Sequence, residues 1–173
     1  SETHFFVTPS PELKSALVSI YDEMMWLARR PNVTPGRARG WYTHIMAESV
    51  KRQLRRFTGQ VSLEAAAGTN EPLMLEHFKR IQTTLSKLVE RHRRDEVNDA
   101  EEFLQVLIEY EQVHIVTRSE NYKAMRAKGD YILAEIKLQP WEALPPQRQQ
   151  QLWRTMLRGK VANAHSYAPQ AEA

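Results

Sequence analysis

Apolar residues recur at intervals of three and four along most of this chain, and that spacing predicts amphipathic helices. The first predicted helix begins at Ser10 and Pro11, because Ser caps helices and Pro is tolerated at their first position. Thr34 and Pro35 repeat this signal. We expect the second helix to run from there through Phe57, with the glycine two residues later as its end.

Two further helices are predicted in the middle of the chain. Residues 70–72, Asn-Glu-Pro, begin the third. Its apolar residues alternate in steps of four and three, as in a short heptad seam: Met74, Phe78, Ile81, Leu85, Leu88 and His92. Such a stripe forms the core of one folded chain more often than a coiled coil between chains. A capping box at Asp99 begins the fourth helix.

The second half of the chain is less regular. Residues 112–117 are rich in β-branched side chains and indicate a short strand or a break. A second capping box at residues 117–120 begins a short helix that Gly129 ends. Residues 131–138 alternate like a strand, but we assign them to a helix because no partner strand is evident. Beyond a proline-rich connector, a last helix is predicted over residues 147–157.

These elements predict an all-α protein, a single multi-helix bundle of about five to six helices with one short strand-like segment near residues 112–117. We expect residues 1–9 to form an N-terminal extension, residues 10–160 the helical bundle domain and residues 161–173 a flexible C-terminal tail. The length of 173 residues suits one domain with a real hydrophobic core. All four tryptophans are expected to anchor that core, and Trp141 to dock the connector onto it.

Composition excludes several functional classes. The chain has no cysteine, which excludes disulfides, thiolate zinc sites and cysteine nucleophiles. No apolar run approaches the ~20 residues that span a bilayer, and the first residues lack the pattern of a secretory signal. Glycine patterns that bind nucleotide phosphates are missing. We therefore expect no membrane partner, no cofactor and no metal, and we expect a cytoplasmic location.

The charges are strongly segregated along the sequence, although the net charge is only +3. Residues 29–56 carry eight Lys or Arg against the single acid Glu48, which gives +7. Residues 95–111 carry seven acids and no Lys or Arg, which gives −7. This separation predicts a basic face for an anionic partner. It also predicts an acidic helix, residues 99–111, for a protein partner or for self-association.

The basic residues have spacings that suit a phosphate backbone. The predicted second helix carries two pairs spaced four apart, Lys51 with Arg55 and Arg52 with Arg56. Guanidinium groups fit phosphate oxygens, and the nearby Trp41 ring suits stacking on a base. The residues predicted to bind nucleic acid are Arg37, Arg39, Lys51, Arg52, Arg55, Arg56, Arg80, Lys87, Arg91 and Arg94.

These patterns predict a non-catalytic, nucleic-acid-associated helical protein. It would hold the phosphate backbone of single-stranded RNA or DNA through its basic face, including as a subunit of a larger nucleoprotein assembly. The alternative is a helical protein–protein interaction or adaptor module whose basic face meets an acidic protein.

One pair of residues suggests catalysis. Arg39 and His44 have the spacing Arg-x4-His, which resembles the motif of the HEPN ribonuclease families, all-α proteins that cut RNA. The resemblance covers six residues. It implies that Arg39 would stabilise charge developing on phosphorus and that His44 would act as a general acid or base, commonly across a dimer interface. A HEPN-like metal-independent ribonuclease is therefore a second alternative.

A second motif pairs an acid with a histidine. Glu111 and His114 form a Glu-x-x-His unit, which on a helix would place both side chains on one face. Di-iron carboxylate bundles use this unit twice, and this chain contains it once. We interpret the pair as a surface acid beside a half-buried histidine.

Overall fold

A computed structural model describes residues 9–46 and 48–170 of the chain, without the side chains of residues 43–45. The described residues form eight α-helices and a four-stranded sheet, so the prediction of an all-α bundle is wrong. The fold is mixed α/β. Its elements in chain order are α1 (Pro11–Ala28), α2 (Pro35–Ile45), α3 (Glu48–Leu54), β1 (Arg56–Ser62), α4 (Leu63–Ala67), β2 (Leu73–His77), α5 (Ile81–Arg94), α6 (Ala100–Tyr110), β3 (Gln112–Thr117), α7 (Arg118–Arg126), β4 (Leu138–Pro140) and α8 (Pro146–Leu152).

The described chain divides into two compact units. The helical unit holds residues 9–54 and Ile81–Glu109, and therefore α1, α2, α3, α5 and nearly all of α6. The sheet unit holds Arg55–Arg80 and residues 110–170, and therefore the four strands with α4, α7 and α8.

Three helices of the helical unit, α1, α2 and α6, begin where local capping signals predict, whereas α5 begins at Ile81 and not at the predicted residues 70–72. The Ser10 hydroxyl accepts a hydrogen bond of 3.1 Å from the Leu13 N–H, and the Thr34 hydroxyl accepts one of 3.1 Å from the Arg37 N–H. The Asp99 carboxylate accepts one of 3.2 Å from the N–H of Glu102 in α6. These caps satisfy N–H groups that the first turn of a helix leaves without partners.

The core of the helical unit packs apolar faces of its helices together. Leu85 and Leu88 of α5 are buried in this core, which agrees with a stripe that packs within one chain. The longer heptad seam is wrong, because α5 begins only at Ile81. Met74 belongs to β2, and Phe78 follows that strand.

The strands of the sheet unit are ordered β2-β3-β1-β4. β1 runs parallel to β3, with Arg56 opposite Gln112. β2 and β4 lie antiparallel to their neighbours, and His77 is opposite Val113. The strand-like segment predicted near residues 112–117 is β3. It pairs with other strands in a four-stranded sheet that the sequence analysis did not predict.

One face of the sheet is covered by α8 and the turns that follow it. Phe57 and Val61 of β1 pack there with the buried rings of Trp141 and Trp153, so these two tryptophans anchor the core as predicted. The Asn163 amide donates to the Phe57 carbonyl at 2.8 Å and accepts from the Phe57 N–H at 2.9 Å. Residues near 163 are thereby bonded to β1.

Two helix predictions fail at the sheet. The second predicted helix does not reach Phe57, since α3 ends at Leu54 and Arg56 begins β1. Residues 131–138 are not helical, because residues 131–135 form turns and Leu138 is the first residue of β4. In both places the chain is held by strands that are distant in sequence, and a local pattern contains no information about such partners.

Candidate nucleic-acid interface

The predicted basic face is divided between the two units. Arg55, Arg56 and Arg80 belong to the sheet unit, and the other seven predicted residues belong to the helical unit. Because Arg56 begins β1, it does not share a helical face with Arg52. The two pairs predicted on one long helix are therefore separated.

Three of the predicted residues converge on one side of α5. Lys87, Arg91 and Arg94 follow one another at spacings of four and three, which places their side chains along the same side of the helix. They line a cleft of about 610 Å³ that also includes Pro35 at the start of α2. We call this cleft, whose lining is Pro35, Gln82, Thr83, Ser86, Lys87, Glu90, Arg91 and Arg94, the α5 cleft.

The α5 cleft retains positive charge after its ion pairs are taken into account. The Glu90 carboxylate pairs with Arg93 at 2.7 Å, and Lys87 forms no ion pair with another described residue. Arg94 Nε lies 2.9 Å from Asp95 Oδ1, and this hydrogen bond raises the pKa of Arg94. The exposed Thr83 hydroxyl adds a donor to the same wall.

Glu102 of α6 neutralises part of the cleft. Its carboxylate accepts two hydrogen bonds from the Arg91 guanidinium, one of them 3.0 Å long, and another of 2.9 Å from His92 Nε2. The hydrogen bond from Arg91, and to a lesser extent that from His92, lowers the pKa of Glu102 to about 2. Glu101 pairs with Lys14 at 2.5 Å. Acids of the predicted partner-binding helix thus bind cations within the helical unit itself.

The remaining basic residues of the helical unit are more dispersed. Arg37 is exposed on α2, whereas Arg39 and Lys51 are half-buried. Arg52 is exposed and lies 3.8 Å from Glu48. In the predicted catalytic pair, Arg39 lies on α2, and the side chain of His44 lies outside the described residues.

Arg80 has a structural role in the sheet unit. Its guanidinium lies 3.2 Å from the Glu76 carboxylate and donates to the Ala124 carbonyl at 3.1 Å. It therefore ties the end of β2 to α7. Burial of the Arg56 side chain lowers its pKa.

A cluster of three polar side chains that the sequence analysis did not predict lies at the end of the sheet where β1 and β3 begin. His77 Nε2 is 2.8 Å from Glu111 Oε2, and Arg55 Nε is 4.0 Å from the same oxygen. The three residues meet because β1 and β3 begin at this end and the antiparallel β2 ends there. Strand pairing over long sequence distances is what brings them together.

The Glu-x-x-His motif does not act as a unit. Glu111 precedes β3 and pairs with His77, whereas His114 lies within β3. His114 Nδ1 is 2.6 Å from the Thr58 hydroxyl, and its ring stacks on Phe78 with 4.3 Å between ring centres. Burial lowers the pKa of His114 to about 4, so the ring is neutral at neutral pH. No group of three potential metal ligands occurs among the described residues.

Two of the four tryptophans are exposed to solvent and do not lie in the core, where the sequence analysis expected them. Trp26 is 60% exposed and Trp41 is 50% exposed, so neither ring anchors the core. Both line a groove of about 730 Å³ in the helical unit. The sequence held one signal for this, because Asp22 and Glu23 lie four and three positions before Trp26 and mark the polar side of α1.

Comparisons with family models, with curated proteins and with solved structures give no match for this chain. None of the helices in the described part of the chain is long and apolar enough to cross a membrane.

Proposed function

We propose that this protein binds the phosphate backbone of single-stranded RNA or DNA through the α5 cleft and does not catalyse a reaction on it. The observation that carries this proposal is the alignment of Lys87, Arg91 and Arg94 on one wall of a single cleft. Cations at this spacing along a helix can contact successive phosphates and release their counterions. We place this activity in the cytoplasm.

The chemistry of the wall fits phosphate rather than a bare metal or an apolar ligand. A guanidinium offers paired N–H donors to phosphate oxygens, an ammonium offers a mobile point charge, and the Thr83 hydroxyl offers a further donor. Such contacts hold the backbone without reading base sequence.

Existing ion pairs of the cleft do not prevent binding. The Arg94–Asp95 pair is exposed, so water and salt screen it strongly. Arg94 and Arg91 each donate two hydrogen bonds to one carboxylate, that of Asp95 and that of Glu102, but the Arg91–Glu102 pair is the less exposed of the two and holds its guanidinium more firmly. A phosphate can therefore draw Arg94 away from its partner at little cost, while Arg91 meets it in a fixed orientation.

The test is a double variant, Lys87→Gln with Arg94→Gln, measured by fluorescence anisotropy on a short labelled single strand at several salt concentrations. We expect weaker binding at every salt concentration. The slope of log affinity against log salt should fall by about 0.7 for each lost phosphate contact. Arg91 is left unchanged because its loss would also remove a partner of Glu102.

The matched control is Lys123→Gln with Arg126→Gln, which removes one Lys and one Arg that are exposed on α7 of the sheet unit. This control should bind as the wild type does. The proposal is wrong if wild type fails to bind any strand at low salt, or if both double variants weaken binding equally.

A further inference from the structure

Two large aromatic rings remain in solvent on adjacent helices of the helical unit. Trp26 belongs to α1 and Trp41 to α2, and these helices pack against each other. Leaving half or more of a tryptophan in water forgoes part of the free energy that its burial would provide. Exposed aromatic pairs on a rigid scaffold are typical of binding surfaces.

The groove between these rings has mixed lining. Asp22, Glu23 and Leu27 of α1 and Arg37 of α2 line it together with the two indoles. Trp26 also borders a second cavity of about 410 Å³, lined in addition by Asp22, Arg29, Arg30 and Asn98. In that cavity the Arg30 guanidinium lies 4.6 Å from the centre of the Trp26 ring. We call the groove with Trp26 and Trp41 the tryptophan groove.

The charges around the two cavities select the occupant. A cationic side chain would meet Asp22 and Glu23 beside Arg37 within the groove, and a longer cationic peptide that extended into the second cavity would meet Arg29 and Arg30 there. A phosphate chain laid within the groove would meet both carboxylates directly. A nucleobase is uncharged and flat, so it suits the indole faces. Its amino groups can donate to a carboxylate, as cytosine N4 does to Asp or Glu.

We infer that the tryptophan groove is a stacking platform for unpaired bases, with Trp26 and Trp41 as the stacking rings and Asp22 and Glu23 as acceptors for base amino groups. Arg37, in the same groove, is placed to hold a neighbouring phosphate. This inference rests on the proposed function and deepens it, because it makes the protein select single strands over duplexes.

Helix α2 connects the two parts of the binding surface. Pro35 lines the α5 cleft, while Arg37 and Trp41 line the tryptophan groove. Pro35 and Trp41 are six residues apart on α2, which is about 9 Å along the helix axis. At 100° per residue Trp41 lies roughly 120° around the α2 axis from Pro35, so a strand that occupies both sites must pass around the start of this helix.

The test compares Trp26→Ala and Trp41→Ala with wild type on three probes at one salt concentration. The probes are a single strand, the duplex of the same sequence, and an abasic strand of the same length. Stacking of one base on one aromatic ring predicts a loss of at least about fivefold in single-strand affinity for each variant. Affinity for the duplex and for the abasic strand should not change. Tyr122→Ala, at an exposed aromatic of the sheet unit, should bind as wild type does.

Further variants separate stacking from loss of folding. Trp26→Phe and Trp41→Phe retain a stacking ring and should keep part of the affinity that the alanine variants lose. Unchanged thermal unfolding by circular dichroism in the alanine variants is expected, since both rings are largely in solvent.

The two proposals fail differently. If Lys87→Gln with Arg94→Gln weakens binding but the tryptophan variants bind all probes as wild type does, the phosphate site stands and the stacking platform is wrong. If wild type binds none of the probes, both the phosphate site and the stacking platform are wrong. Binding of an arginine-rich peptide in place of the single strand, lost in the tryptophan variants, would overturn the stacking platform in favour of a protein partner.

Discussion

The hydroxyl of Tyr21 lies 2.5 Å from Nδ1 of His92, and both side chains are fully buried in the helical unit. The same hydroxyl accepts a hydrogen bond of 3.1 Å from the N–H of Asp99. On its other side the His92 ring is bonded to Glu102. One chain of hydrogen bonds therefore links α1, α5 and α6 through the core, and it gives a partner to the Tyr21 hydroxyl and to both ring nitrogens of His92.

Tyr21→Phe removes the hydroxyl and leaves His92 Nδ1 buried without this partner. We expect the free energy of unfolding to fall by about 1–3 kcal/mol, which is the usual cost of an unsatisfied buried polar group. Urea unfolding followed by circular dichroism measures the change. Tyr122→Phe, at an exposed tyrosine, is the matched control and should alter stability little. Equal stability of the two variants would contradict a structural role for this bond.

His114 should make the stability of the sheet unit depend on pH. Below pH 6.5, the usual pKa of histidine, the unfolded chain binds a proton at this position, whereas the folded chain does so only near the lowered pKa of about 4. Stability is therefore complete above pH 6.5 and declines as the pH falls towards 4. The loss is roughly 3 kcal/mol at most.

The check is the difference in free energy of unfolding between neutral pH and pH near 4.5, for wild type and for His114→Gln. Glutamine can still bond to the Thr58 hydroxyl but does not titrate. We expect a smaller pH-dependent loss in this variant than in wild type. His165→Gln, at an exposed histidine, should retain the full loss. A loss that is the same in all three proteins would exclude His114 as its origin.

Gly129 lies where only glycine fits. Its φ is +85°, and a Cβ added there would lie 2.5 Å from the Phe78 carbonyl oxygen. Gly129→Ala should therefore lower the free energy of unfolding by at least about 2 kcal/mol, since both backbone strain and a clash oppose it. Urea unfolding followed by the emission of the buried Trp141 and Trp153 reports on this unit.

Alanine variants of two other glycines distinguish the cost of backbone strain from the cost of the clash. Gly159 has a φ of +70° with open space around it, so Gly159→Ala should cost only the strain, about 1–2 kcal/mol. Gly40 lies within α2, again with open space, and Gly40→Ala should stabilise the protein by about 0.5–1 kcal/mol. Equal effects at Gly129 and Gly159 would show that the contact with Phe78 is relaxed easily.

The candidate site was predictable only in part. Lys87, Arg91 and Arg94 share one side of α5 because helical spacing alone places them there. The exposure of Trp26 was not predicted, and the sequence assigned Trp41 both to the core and to base stacking, since a tryptophan is usually an anchor and its environment depends on how α1 and α2 pack. The separation of Arg52 from Arg56 depends on the strand pairing that begins immediately after α3.

By itself, the sequence determined the starts of α1, α2 and α7. Ser10, Thr34 and the Thr117–Glu120 capping box act on N–H groups within three residues of themselves, so neighbours in the chain are sufficient. Only the tertiary structure decided the four-stranded sheet. Phe57 pairs with Val113, and a hydrogen-bonded ladder between such distant segments is stabilised by packing that no local pattern of residues contains.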